Sequence, residues 1–245
     1  MKWEKFFHPQ IRDGGAESLS RKSGDTARFC FGFLFSLALS MGLVYYFNKN
    51  VPIRFAINDD YAFHLMLTGA YGSLTGYDVF QNIVFGKLIS ALFAVIPAVN
   101  WYSVALLGIF CLSFTVFGTL LIGKLGPVVG IPLEIAVDLV FETSMLYLFQ
   151  WTVCAYLSMA AGIALFIWGD RSEKGKRLRC FILSGLFLAA AFMIRWNVIL
   201  PAALLTGAYC VVVLFEKRKK AVVSVIAFCA IGAVVAGLYG VNALA

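Results

Sequence analysis

Long apolar stretches separated by short basic clusters decide what this chain can become. Residues 27–47, 101–122, 127–148, 151–168, 180–194, 197–215 and 221–244 are almost free of charge. Most of them approach the roughly 20 residues with which an α-helix crosses a hydrocarbon layer about 30 Å thick. Inside a bilayer every backbone polar group must be satisfied within the protein, and a helix does this within one segment. The chain is 61% hydrophobic and 13% charged, with mean hydropathy +0.87, whereas a soluble domain carries about 25% charged residues. The expected fold is therefore all-α: a polytopic transmembrane bundle of about seven spans, forming a single module over 27–245 behind a polar tail, 1–26.

Topology follows from where the cations fall. Arg171, Lys174, Lys176, Arg177 and Arg179 form one cluster, Lys217–Lys220 a second, and Lys2, Lys5, Arg12, Arg21, Lys22 and Arg28 a third. Positive-inside bias assigns all three to the cytoplasm, with Lys124 between two spans beside them. This places sixteen of the 20 Lys and Arg residues inside. A chain that leaves the cytoplasm along 27–47 must then make an odd number of further crossings before Arg171. The stretches 101–122, 127–148 and 151–168 satisfy that alone. Residues 79–96, which are apolar but carry Gln81, Asn82, Lys87 and Ser90, would break the parity. They are expected as a juxtamembrane helix in the first outer loop.

The clustered cations read as topology and exclude a nucleic-acid surface, although the net charge is +7. Six cysteines lie in or beside apolar stretches with no CxxC pair, so they are expected as small core residues with no disulfide or zinc role. The first apolar stretch lacks a small-residue cleavage site and is expected to remain as a span. The expected location is the plasma (inner) membrane, with a cytoplasmic N-terminus and the lipid bilayer as the chief partner.

The first acidic residues after that span are Asp59 and Asp60, in Asn58-Asp59-Asp60-Tyr61. Two readings stay open. Asn is a favoured N-cap, and acidic residues in a first turn complement the helix dipole by about 0.3–1 kcal/mol each. Alternatively, a close carboxylate pair supplies a general base with a raised pKa, or oxygen ligands for a divalent cation such as Mg2+ or Mn2+. Helical spacing from Asn58 groups Phe63, Met66, Leu67 and Ala70 on one face and Asp60, His64 and Thr68 on the other. Gly69, Gly72 and Gly76 end the helix, with a turn at Gly76-Tyr77-Asp78. His64, one turn beyond Asp60, either orients that carboxylate or binds a phosphate, or is an ordinary interfacial histidine.

Further candidates lie at the same outer end. Arg195, beside Trp196 and Asn197, is either an interfacial anchor or a guanidinium holding a phosphate, and Lys87 is an alternative cation for that part. Gln150, Trp151 and Thr152 mark an outer connection. Glu134, Asp138 and Glu142 are spaced i, i+4, i+8 within an apolar stretch, where each carboxylate costs a few kcal/mol to insert and faces a partner or cavity. They read as an inward structural stripe, as an ion or proton path, or as the wall of a polar groove. Glu142, nearest the outer face, is the substrate-binding candidate among them.

The acidic pair after the first span, the two outer-loop helices around 61–71 and 79–96, and the seven-span plan resemble the GT-C superfamily of membrane glycosyltransferases. That group contains protein O-mannosyltransferases, oligosaccharyltransferases and bacterial aminoarabinose transferases. Asn58–Asp60, Gly69–Tyr71 and Trp101-Tyr102 are similar to the pattern of its bacterial polytopic members. The resemblance implies that Asp59 or Asp60 is the base or metal-holding carboxylate, that the donor is a polyprenyl-phosphate-linked sugar, and that transfer to an acceptor inverts the anomeric carbon. Such enzymes carry further spans or an outer C-terminal domain, so a short member or a piece of a longer protein is expected. The expected role is transfer of a sugar during cell-envelope or polysaccharide assembly. The alternatives are a transporter or flippase using the carboxylate stripe, or a non-catalytic membrane subunit. Of the pair, Asp59 is expected to act and Asp60 to support it.

Overall fold

The computed structural model describes residues 15–51, 53–55, 58–74, 76–77, 80–216 and 221–244, with 15–25 and 58 described by backbone only. Among the described residues, six helices are long and apolar enough to cross a bilayer. They are α1 (Gly15–Asn50, apolar over Thr26–Asn50), α4 (Trp101–Leu125), α7 (Trp151–Arg171), α8 (Lys174–Ile194), α9 (Ile199–Phe215, entered through a 3₁₀ turn at Trp196–Val198) and α10 (Ala221–Ala243). Two short helices, α2 (Asn58–Leu67) and α3 (Ile83–Val95), occupy the first long connection. The chain is thus an all-α, multi-pass helical bundle suited to a lipid bilayer. Thirteen residues of α3 rise only about 20 Å, too little to cross.

The stretch expected as the third of seven spans is present, but it is broken in its hydrogen bonding. Residues 127–147 run as α5 (Pro127–Val137), a π-turn (Asp138–Glu142) and α6 (Thr143–Tyr147), and the Thr143 N–H bonds five residues back to Asp138 O. The π-turn divides this run into pieces of 11, 5 and 5 residues, which keeps it out of the long set, yet it starts beside the end of α4 and closes beside the start of α7.

Three further expectations need adjustment. Helix α1 begins at Gly15, well inside the stretch expected as a polar tail, and residues 1–14 lie outside the described ones. Basic residues 174–179 form the first turns of α8 and not a loop, while Lys217–Lys220 lie outside the described residues, as do Asp78 and Val79. Of the cysteines, Cys111, Cys154 and Cys210 are buried, Cys180 is half-buried, and Cys30 and Cys229 are exposed. An exposed thiol on a membrane helix faces lipid as readily as core, because Cys behaves as a small apolar group in either setting.

Close helix packing relies on small residues and hydroxyls, as expected where lipid supplies no hydrophobic drive. Along the α7–α8 hairpin, Ser158 Oγ donates to Phe187 O and Ser184 Oγ donates to Gly162 O, both at 2.7 Å. On α4, Gly118 has no room for a side chain: a Cβ there would lie 1.8 Å from Glu134 Oε1 and 2.5 Å from Ser36 Oγ. α1, α4 and α5 therefore meet at this glycine.

Two polar knots define the ends. Near the C-terminus of α7, Asp170 accepts from Ser224 Oγ of α10 at Oδ1 and from Tyr209 OH of α9 at Oδ2. The buried Arg177 of α8 donates to the carbonyls of Asp170 and Ser172. At the opposite end, Asn82 caps α3 through Val84 N and donates to Leu238 O, and its N–H reaches Met193 O. Asn242 Oδ1 accepts from Ile83 N. These bonds collect the N-terminal end of α3 and the C-terminal ends of α8 and α10 at one pole, where α2 also lies.

Candidate functional site

Helix α2 is oriented by its apolar residues. Phe63 and Leu67 enter the main core beside Phe85, Ile89, Tyr102 and Trp151, and Asp60, one turn before Phe63, is carried in with them. Asp60 is 0% exposed, while Asp59 and Tyr61 face outward. The expectation that Asp60 shares a polar face opposite Phe63 is therefore corrected. Asp60 lies on the buried stripe because its carboxylate has partners there.

Those partners are specific. Asp60 Oδ1 accepts from Tyr102 OH at 3.1 Å and from the backbone N–H of Trp151 at 3.0 Å. Trp151 is the first residue of α7, and the preceding Gln150 makes no side-chain cap bond. A helix start leaves backbone donors unsatisfied and carries a partial positive charge. Asp60 thus caps α7 from another helix, supplying what the local sequence Leu148-Phe149-Gln150 lacks. Tyr102 itself accepts from Gln81 Nε2 at 3.1 Å.

Burial pushes the Asp60 carboxyl up from 3.8 to about 6; the Trp151 N–H and the Tyr102 hydroxyl pull it partly back, and the charge of Asp59 adds a smaller push upward. His64 is half-buried with its ring 5.7 Å from that of Phe93, and burial lowers its pKa, favouring the neutral ring. It supports α2 by packing and is not a partner of Asp60.

Trp151 links the carboxylate to a cation. The Arg195 guanidinium stands 4.6 Å from the Trp151 ring centroid, with Nη1 donating to Thr152 Oγ1 and Nε to Asn197 Oδ1 at 2.8 Å. Phe63 meets the same indole edge-on at 5.3 Å and Phe80 stacks on it at 6.1 Å. Among the described residues, four buried polar atoms around this cluster lack a hydrogen-bond partner: Asp60 Oδ2, His64 Nδ1, Gln81 Oε1 and Trp151 Nε1. Buried polar groups are nearly always paired, so a concentration of unpaired donors and acceptors marks a place for water or a polar ligand.

The remaining candidates are placed elsewhere. Lys87 is exposed on α3, its ammonium 5.9 Å from the Tyr77 ring. Gln150 is half-buried and contributes its backbone carbonyl to Cys154 N. Glu142 is fully buried against α1, where it accepts from Ser40 Oγ at 2.6 Å. Asp59 and Asp60 point to different environments, one exposed and one buried. Among the described residues no three His, Cys, Asp or Glu side chains are grouped to hold a metal ion. The donor set does not fit a divalent cation at this pair.

No protein-family model, curated protein or solved structure matches this chain. The site must be judged on its chemistry. Sequence reading named both carboxylates and Arg195, but it missed the roles of Tyr102, Gln81 and the Trp151 backbone. The available signal was the absent N-cap before Trp151, since a long helix without Ser, Thr, Asp or Asn at its start must find a cap elsewhere.

Proposed function

We propose that this protein is a GT-C-type membrane glycosyltransferase, which moves a sugar from a polyprenyl-phosphate donor to an acceptor hydroxyl outside the cytoplasm. The observation that carries this reading is Trp151, whose backbone N–H bonds Asp60 and whose indole faces Arg195. Through it, the acidic first turn of α2 and the Arg195 guanidinium are brought to one aromatic, partly unsatisfied cluster.

Each group has a part. Asp59, exposed on the turn that Asp60 anchors, takes the proton of the acceptor hydroxyl as its oxygen attacks the anomeric carbon. The bond from that carbon to the phosphate oxygen breaks, and the configuration inverts. Arg195 meets the charge on the departing polyprenyl phosphate by charge-assisted hydrogen bonds. Asp60 is a positioning residue that holds the turn against α7. Aromatic faces and unpaired polar atoms suit a sugar, which presents apolar faces and many hydroxyls. A bilayer-dissolved donor reaches such a site laterally. The positive-inside rule supports a cytoplasmic N-terminus, because Lys124 and the cluster from Arg171 to Arg179 lie at the pole opposite Asp60; the plasma membrane is the location in keeping with a cell-envelope role.

The test uses purified protein in detergent with polyprenyl monophosphate as probe. Wild type is expected to gain thermal stability on adding it, Arg195→Ala to lose that gain, and Asp59→Asn to keep it. Membranes carrying Asp59→Asn are expected to lose sugar transfer to lipid-extractable or polymeric acceptors. Equal transfer by Asp59→Asn and wild type at equal expression would overturn the assignment.

A further inference from the structure

Three carboxyl groups lie outside the Asp60 cluster. Glu134, Asp138 and Glu142 are 1%, 2% and 0% exposed within the broken span 127–147. Both oxygens of Glu134 and one each of Asp138 and Glu142 lack a hydrogen-bond partner among the described residues. A purely structural carboxyl in this protein looks different: both side-chain oxygens of Asp170 are bonded.

The backbone keeps the three groups in file. Four residues of regular α-helix advance a side chain by about 40° beyond a full turn. The π-turn over Asp138–Glu142, with more residues per turn, rotates the next step back. The file faces Ser36 and Ser40 of α1, with Ser40 donating to Glu142, and Gly118 of α4, whose missing side chain admits the Glu134 carboxyl. The other ionisable groups facing it are the thiol of Cys111 on α4, near Glu142, and the ammonium of Lys124.

Openings lie toward both ends. A cavity of about 360 Å3 is lined by Glu134 and Asp138 together with Lys124 and Trp168, at the pole away from Asp60. A recess of about 520 Å3 lies at the other end, lined by Phe47, Val51, Thr143, Ser144, Tyr147 and Leu148; Glu142, which precedes Thr143, is not itself part of the lining. In the first cavity, Phe117, Leu120, Leu121, Val137 and Ala164 make the rest of the wall apolar, so water there has Glu134, Asp138 and Lys124 as its charged partners. The carboxyls are strung along the helix and not gathered in a metal-holding set.

We propose that Glu134, Asp138 and Glu142 form a proton relay through the hydrophobic layer, fed by water in these two openings. A proton leaves Glu142 for water in the outer recess, Asp138 passes its proton to Glu142, and Glu134 passes its own to Asp138. Glu134 then regains one from water in the inner cavity. The carboxyls end as they began, and one proton has crossed; the reverse gradient drives the reverse sequence. This function is independent of the sugar-transfer reading, since none of its groups belongs to the Asp60 cluster.

The test is proton flux into proteoliposomes containing a pH-sensitive dye, driven by a potassium diffusion potential with valinomycin. Wild type is expected to acidify the lumen faster than empty vesicles, and Asp138→Asn to fall to the empty-vesicle rate. Wild-type flux no greater than that of empty vesicles overturns the relay, as does full flux through folded Asp138→Asn protein. Should that variant fail to fold, dicyclohexylcarbodiimide decides on wild-type vesicles. Modification of Asp138, seen by mass spectrometry, is expected to abolish the flux, and undiminished flux after complete modification overturns the proposal.

Discussion

The two ends of α7 solve the same electrostatic problem in different ways. At its N-terminus the cap is Asp60, a carboxylate lent by α2; at its C-terminus it is Arg177, a guanidinium lent by α8. Each charge has the sign that complements the helix dipole at that end. The C-terminal knot is closed, because Asp170 uses one oxygen for Ser224 and the other for Tyr209 and so ties α9 and α10 to α7. The N-terminal knot is left open, with Asp60 Oδ2, Gln81 Oε1 and Trp151 Nε1 unpaired among the described residues, beside Arg195. Similar local chemistry thus serves fastening at one pole and leaves unused bonding capacity at the other, where a ligand can take it up.

The comparison is broken most directly at the closed end. Asp170→Ala leaves the Ser224 and Tyr209 hydroxyls without their acceptor and is expected to cost about 2–4 kcal/mol, read as a lower detergent-unfolding temperature with no specific loss of phosphate binding. A smaller contrast is electrostatic. Because burial raises the Asp60 pKa in the folded protein, its contribution to stability is complete below pH 3.8 and is lost as pH rises through about 6. Thermal unfolding of wild type should therefore weaken over that interval, and the Asp60→Asn variant should lack this component. A wild-type profile identical to that of Asp60→Asn would contradict the buried-charge account. The smallest effect is the cap itself. At pH 5, Asp60→Ala is expected to cost about 1 kcal/mol, whereas Asp60→Asn, which retains an acceptor oxygen, should cost little.

Much of the architecture was legible because it depends on local quantities. Span length and hydropathy located all the long helices, and the cation count argued against a span at Ile83–Val95, whose 13 residues are too short for one. The acidic turn of α2 was legible as a helix start, and Arg195 as a cation at the same pole. The direction of Asp60 was not. Asn58-Asp59-Asp60 is compatible with either carboxylate facing inward, and the choice was made by Phe63 and Leu67 finding the core and by an uncapped helix 91 residues away in sequence. Glu142 was attractive as a site residue because it lies near the outer end of its span, but Ser40 of α1 claims it for a different interface.

The sequence alone determined that this chain is a multi-pass helical membrane protein, and where its ionisable residues lie along the helices. It could do so because hydrophobic length, helical period and charge asymmetry are properties of single segments. Only the tertiary structure decided which carboxylates are bonded and which are left open, since a carboxyl group's partners come from other helices. That is why Asp170, Asp60 and Asp138, three similar aspartates in the sequence, became a fastener, a cap beside an open site, and the centre of a carboxylate file.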